Sequence, residues 1–115
     1  MTDAERDGLY LRLIAEAIDD IQRRIALTEV HRFLADRDEQ ALTAFRLSII
    51  GENVNKLSVH LKQRHPDLPW YRMVAFRNVV AHEYHRAEPT LVWEAALALA
   101  DIEAMVDLEL ARSEK

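Results

Sequence analysis

The stretch His65-Pro66-Asp67-Leu68-Pro69-Trp70 decides how this chain folds. Pro66 cannot continue a helix arriving from the N-terminal side, because it lacks an N–H and its ring clashes with the preceding turn. Pro69, whose φ is already close to the helical value, suits the first turn of a new helix. The stretch therefore predicts a short loop between two helices, one over about residues 39–64 and one over about residues 70–85. A connection this short makes its two helices antiparallel neighbours.

Working outward, the other segments also read as helices. Leu13, Ile14, Ile18, Ile21 and Ile25 recur at the three-and-four spacing of an amphipathic helix, predicted over about residues 5–27. Thr28 or a neighbour is positioned to cap a short helix through about residue 36, carrying Val30, Phe33 and Leu34. Asp36 or Asp38 suits the N-cap of the long helix, whose apolar stripe reads Leu42, Phe45, Ile49, Leu57 and Leu61, with Gly51 inside it. Beyond the loop, Met73, Phe76 and Val80 form the expected buried line of the helix over about 70–85. Glu88-Pro89-Thr90 then opens a last helix, to about residue 111, with Leu91, Ala95, Ala98, Ile102, Met105 and Leu108 at helical spacing. Two glycines and three prolines are too few for the turns of an all-β domain. The fold class expected is all-α, an up-and-down bundle of four to five helices forming a single domain over residues 1–115.

Composition bounds the function. At 115 residues, half of them hydrophobic, the chain can bury a core without covalent staples. The absence of cysteine excludes a disulfide scaffold and any thiolate metal site, and suits a cytoplasmic protein. No basic-then-apolar N-terminal run and no membrane-length apolar run is present. A net charge of -5 argues against indiscriminate nucleic-acid binding. The distribution is uneven, however. Residues 56–86 carry six basic side chains (Lys56, Lys62, Arg64, Arg72, Arg77, Arg86) against Asp67 and Glu83 alone, a basic island of +4 between acidic flanks. Four of the five histidines lie in the same segment.

Inside the island stands Arg77-Asn78-Val79-Val80-Ala81-His82-Glu83-Tyr84. A guanidinium is permanently charged and forks onto phosphate oxygens. An imidazole exchanges protons near neutral pH, as acid–base cleavage of a phosphodiester requires. Tyrosine adds a hydroxyl and a stacking face, and Asn78 could fix the imidazole or donate to phosphate. On an ideal helix Asn78 and His82 lie about 40° apart, and Arg77 and Tyr84 about 20°, whereas Arg77 and His82 diverge by about 140°. A shared site therefore needs Arg77 to reach round the helix, a second chain, or a helix that ends near His82. Spacing alone favours a different reading, in which Arg77 pairs with an acid on a neighbouring helix and His82 and Tyr84 fill a half-buried face.

His82-Glu83-Tyr84-His85 is one residue short of the helical zinc-protease signature, and no third ligand is identifiable, so no metal is expected. His31, His60 and His65 read as surface residues, and Trp70 and Trp93 as core or interface anchors. Glu52 is the acid placed to orient Arg77 or His82 across the bundle, or is simply a surface acid. Lys62, Arg64, Arg72 and Arg86 could extend an RNA track or be solvated charge.

The ordered landmarks resemble a known family. RNVVAHEY fits the arginine, four residues, histidine, one residue, tyrosine motif of the HEPN superfamily, and the surroundings are similar to its HepT-like branch. Phe45-Arg46-Leu47-Ser48-Ile49-Ile50-Gly51-Glu52 resembles that branch's helix ending in Ile-Gly-Glu. Pro66 to Trp70 resembles its proline-tryptophan loop, and Leu91-Val92-Trp93 its next helix start. Asn53 departs from the alanine more usual there. The resemblance spans about residues 5–110. It implies a helical bundle that dimerises, with motifs from two protomers lining one cleft, and metal-independent RNA cleavage with no cofactor. Arg77 and His82 are then catalytic, Asn78 supporting, and Tyr84 a site residue and the target of AMP transfer. The transfer would come from a partner, a minimal nucleotidyltransferase antitoxin. The alternative is a non-catalytic module that pairs with such a nucleotidyltransferase and binds nucleotide or RNA; the complete motif favours the enzyme.

Overall fold

A computed structural model describes residues 1–83 and 88–113, with backbone alone for Phe76 and residues 78–83. Among the described residues there are seven helices and no strand. The first, α1, spans Asp3–Ile25, with the Thr2 hydroxyl accepting the Glu5 N–H at 3.1 Å as its N-cap. Acids in its first turn and Arg23 and Arg24 in its last match the helix dipole. Its core stripe is Leu11, Ile14, Ala17, Ile18 and Ile21. The expected Leu13 is instead 45% exposed. One residue before Ile14 is about 100° away on the helix, so Leu11 takes the place expected of it.

Next come α2, Val30–Ala35, and α3, Arg37–Lys56. The cap of α2 is Glu29, whose carboxylate accepts the N–H groups of His31 and Arg32. Asp36 serves both helices: its N–H donates to Phe33 O, ending α2, and its carboxylate accepts the Glu39 N–H, starting α3. Along α3 the buried face is Thr43, Ala44, Leu47, Ile50, Gly51, Asn53 and Val54. Phe45, expected in the stripe, is 55% exposed.

The long helix predicted over 39–64 is broken. After α3, Leu57 is extended and α4 spans Val59–Gln63. The cause is Asp7, buried on α1, whose carboxylate accepts the Ser58 N–H at 2.8 Å and the Ser58 hydroxyl at 2.5 Å. Ser58 in turn caps α4 through the Leu61 N–H. A backbone donor that would have bonded four residues back is thus satisfied from another helix.

The loop around Pro66 and Pro69 is where the sequence places it, and α5 spans Trp70–Glu83. Trp70 Nε1 donates to the His65 carbonyl at 2.8 Å, tying the start of α5 to the loop. Of the expected α5 line Met73 is buried, while the side chains of Phe76 and Val80 lie outside the described residues. The last predicted helix is also two: α6, Pro89–Leu97, and α7, Ala100–Ser113. Ala98 leaves helical geometry, and Leu99 after it is buried. Leu91, Ala98 and Leu108 are exposed, and the buried face is Val92, Ala96, Leu99, Ile102, Met105 and Val106.

Helix α3 is the centre of the bundle, packed most extensively on α5 and α1, with α7 against α1. Helix α6 leans on α3 and α2, and Phe33 meets Trp93 there with ring centroids 5.0 Å apart. Trp70 and Trp93 are both partly buried against the core, so each anchors packing as expected. No described helix is long and apolar enough to cross a membrane.

Candidate active site

The helix that carries the motif rests on the middle of the bundle. Helix α5 packs on α3, and Arg77, in its second half, meets Glu52 of α3 with Nη1 3.7 Å from Oε2. Glu52 also stands beside Lys56, with Oε1 4.0 Å from Nζ, one helical turn along. The Lys56 ammonium lies 5.7 Å from the centroid of the Tyr10 ring on α1. A line of contacts thus runs from Tyr10 through Lys56 and Glu52 to Arg77, linking three helices. Phe45, seven residues before Glu52 and about 20° from it around α3, shares this outward face.

Arg77 is therefore paired with an acid on a neighbouring helix. The structural reading of the sequence expected such a pair, and the catalytic one admits it, with Glu52 as the acid that orients Arg77. The pair alone does not separate them. The backbone of α5 stays helical through Glu83, so His82 belongs to its last described turn and diverges from Arg77 by about 140°. The side chains of Asn78 and His82 lie outside the described residues, as do Tyr84, His85 and Arg86 altogether.

The remaining basic candidates separate. Arg64 turns away to α7, where it grips Glu109 bidentately, Nη2 to Oε1 at 2.6 Å and Nε to Oε2 at 3.2 Å. That pairing raises the Arg64 pKa and holds the Glu109 carboxyl below the usual carboxylate range, against burial that pushes it up. Lys62 lies against the protein, its ammonium 3.4 Å from the Asn55 carbonyl, and burial lowers its pKa. Arg72 is exposed on the first turn of α5. Arg64 is thus committed to Glu109, and Arg86 lies outside the described residues.

His65, expected at the surface, is mostly enclosed. Its side chain is only 15% exposed, with Nε2 2.6 Å from Oε2 of Glu109, itself 4% exposed. Sequence reasoning missed Glu109 and Asp7, the two buried acids that fasten α7 and α1 to the α4 region. The one available signal was that each sits in its helix at apolar spacing, Asp7 four before Leu11 and Glu109 four after Met105. Among the described residues no three His, Cys, Asp or Glu side chains gather as a metal site.

Comparison with known proteins identifies the family. A profile of the Ribonuclease HepT-like family matches residues 14–108, which include the whole motif. A protein of Thermococcus cleftensis named "Probable ribonuclease HepT" is 32% identical over 85 residues, covering 74% of this chain and 77% of its own. A protein of Caldanaerobacter subterraneus subsp. tengcongensis named a "Putative RNase" is 26% identical over 107 residues, covering 92% and 95%. One of Methanocaldococcus jannaschii, likewise named a "Putative RNase", is 26% identical over 87 residues, covering 76% and 72%. No solved structure gives a significant match. An all-helical bundle with these likenesses is a ribonuclease of the HEPN type. The chain belongs to the HepT-like ribonuclease family.

Proposed function

We propose that this ribonuclease is the toxin of a toxin–antitoxin pair, an endoribonuclease that cleaves RNA without a metal ion through Arg77 and His82. The observation that carries the reading is the complete arginine-to-tyrosine motif in the sequence, with its Arg77, on α5, paired with Glu52. Cleavage is transesterification. The RNA 2′-oxygen attacks the adjacent phosphorus, the bond to the 5′-oxygen breaks, and a 2′,3′-cyclic phosphate and a 5′-hydroxyl result. His82 takes the 2′-hydroxyl proton, and an imidazolium returns one to the leaving oxygen. Arg77 neutralises the charge of the phosphorane, and Asn78 supports the site. The 140° divergence of Arg77 and His82 on α5 favours a homodimer, in which each cleft takes residues from two chains and the acid and the base are separate histidines.

The partner in this reading is a minimal nucleotidyltransferase antitoxin. It silences the enzyme by AMP transfer: the Tyr84 phenol oxygen attacks the α-phosphorus of ATP, loses its proton and releases pyrophosphate. A bulky anion on a tyrosine seven residues from Arg77 in the sequence blocks and neutralises the phosphate site.

The test is RNA cleavage by purified protein in excess chelator. Wild type should degrade a mixed-sequence single-stranded RNA to fragments ending in cyclic phosphate, and His82→Ala should be slower by about 100- to 10,000-fold. Full activity in His82→Ala would sink the assignment. Peptide mass analysis after co-expression with the antitoxin should place one AMP on Tyr84.

A further inference from the structure

We infer that Glu52 is the positioning residue for Arg77, an inference that rests on the catalytic reading of Arg77 above. Arginine reaches its target on a long, freely rotating stem, and a phosphate clamp loses efficiency when the guanidinium wanders. Glu52 limits that freedom from a different helix. Its Oε2 stands 3.7 Å from Nη1 of Arg77, engaging one of three guanidinium nitrogens and leaving N–H donors for a phosphate. Glu52 is itself steadied, since Oε1 faces Lys56 Nζ at 4.0 Å and Lys56 rests over Tyr10. Lys56 also offsets the carboxylate charge, so that Glu52 attracts Arg77 without cancelling the positive field that draws RNA.

Burial separates this role from a purely structural one. The Glu52 side chain is 49% exposed and that of Arg77 36%, and ion pairs this open contribute little to folding. By contrast Glu109, which pairs with Arg64 and His65, is only 4% exposed. What the Glu52 contact does determine is where the guanidinium stands relative to α5.

Glu52→Gln tests this, because it keeps the side chain's size and removes its charge. With a fluorophore–quencher single-stranded RNA oligonucleotide, kcat should fall about 10-fold while KM changes less than about two-fold. The melting temperature should not move. Glu52→Asp, which keeps the charge at shorter reach, should recover part of the loss. In an Arg77→Lys background, Glu52→Gln should add little further loss, because the two changes act through one group. Independently of activity, the Nε–H resonance of Arg77 in ¹⁵N NMR should shift and broaden in Glu52→Gln. A kcat within about two-fold of wild type, a rise in kcat/KM, or a fully additive loss in the Arg77→Lys background would overturn the inference. If Arg77→Ala cleaves as well as wild type, the catalytic reading of Arg77 fails instead, and an unchanged Nε–H resonance in Glu52→Gln would then overturn the positioning contact by itself.

Discussion

Arg64 and Glu109 lie 45 residues apart in the chain and meet across a bidentate pair, 2.6 and 3.2 Å long, on the inner side of α7. His65 adds a third contact to the same carboxylate at 2.6 Å. Because Trp70 Nε1 donates to the His65 carbonyl, the acid of α7 reaches the first residue of the motif helix in two steps.

Glu109→Gln should therefore destabilise the fold. Hydrogen bonds to a charged group contribute about 1.5–3 kcal/mol each, and Arg64 is left with a weaker acceptor in the variant. We expect a loss of about 2 kcal/mol in denaturant unfolding, with the m-value unchanged.

The same pair sets an acid limit. The Arg64 guanidinium, and then His65, hold the Glu109 carboxyl below its ordinary value of 4.5, against burial. Arg24 does the same for Glu39 on α3. A carboxylate whose folded pKa is depressed binds protons more readily when unfolded, so its stabilisation is full above about pH 4.5 and is lost as pH falls through the folded value. Unfolding free energy measured from neutral pH downward should begin to drop near there, and the drop should be shallower in Glu109→Gln. An identical slope in the variant would contradict the assignment to Glu109.

Asp7→Ala should open the break between α3 and α4. The Ser58 N–H would lose its acceptor in a part-buried position, at a cost of about 1–3 kcal/mol. Hydrogen exchange should accelerate at Ser58 and Leu61 before it does elsewhere in α1 or α3.

Arg77→Lys should fold as wild type and cleave about 100-fold more slowly, because an ammonium cannot fork onto two phosphate oxygens. Kinetics on one RNA oligonucleotide, with circular dichroism of the same preparation, check both halves.

The helices were legible where a local rule fixes them. Pro66 and Pro69 marked the loop, Asp36 the cap of α3, and the isoleucines of α1 its buried face. What was illegible depended on distant partners. The break at Ser58 exists because Asp7, 51 residues earlier, takes over its donors, and nothing near Ser58 announces it. Leu13 and Phe45 misled for another reason: an apolar residue beside a stripe fits the pattern while pointing to solvent. In the site, Arg77 and its candidate partner Glu52 were both named from the sequence, one through a motif and one through the Ile-Gly-Glu landmark. Their pairing awaited the packing of α5 on α3.

The chain of contacts from Glu109 through His65 to Trp70 has a genetic consequence. On the proposed toxin role, selection for survivors of unopposed expression is expected to recover changes in the motif first. It should also recover a second class on α7, where loss of Glu109 would slacken the anchorage of α5 and leave every motif residue intact. Such alleles would be hypomorphs, sensitive to growth temperature, and a screen at two temperatures would sort them from the motif nulls.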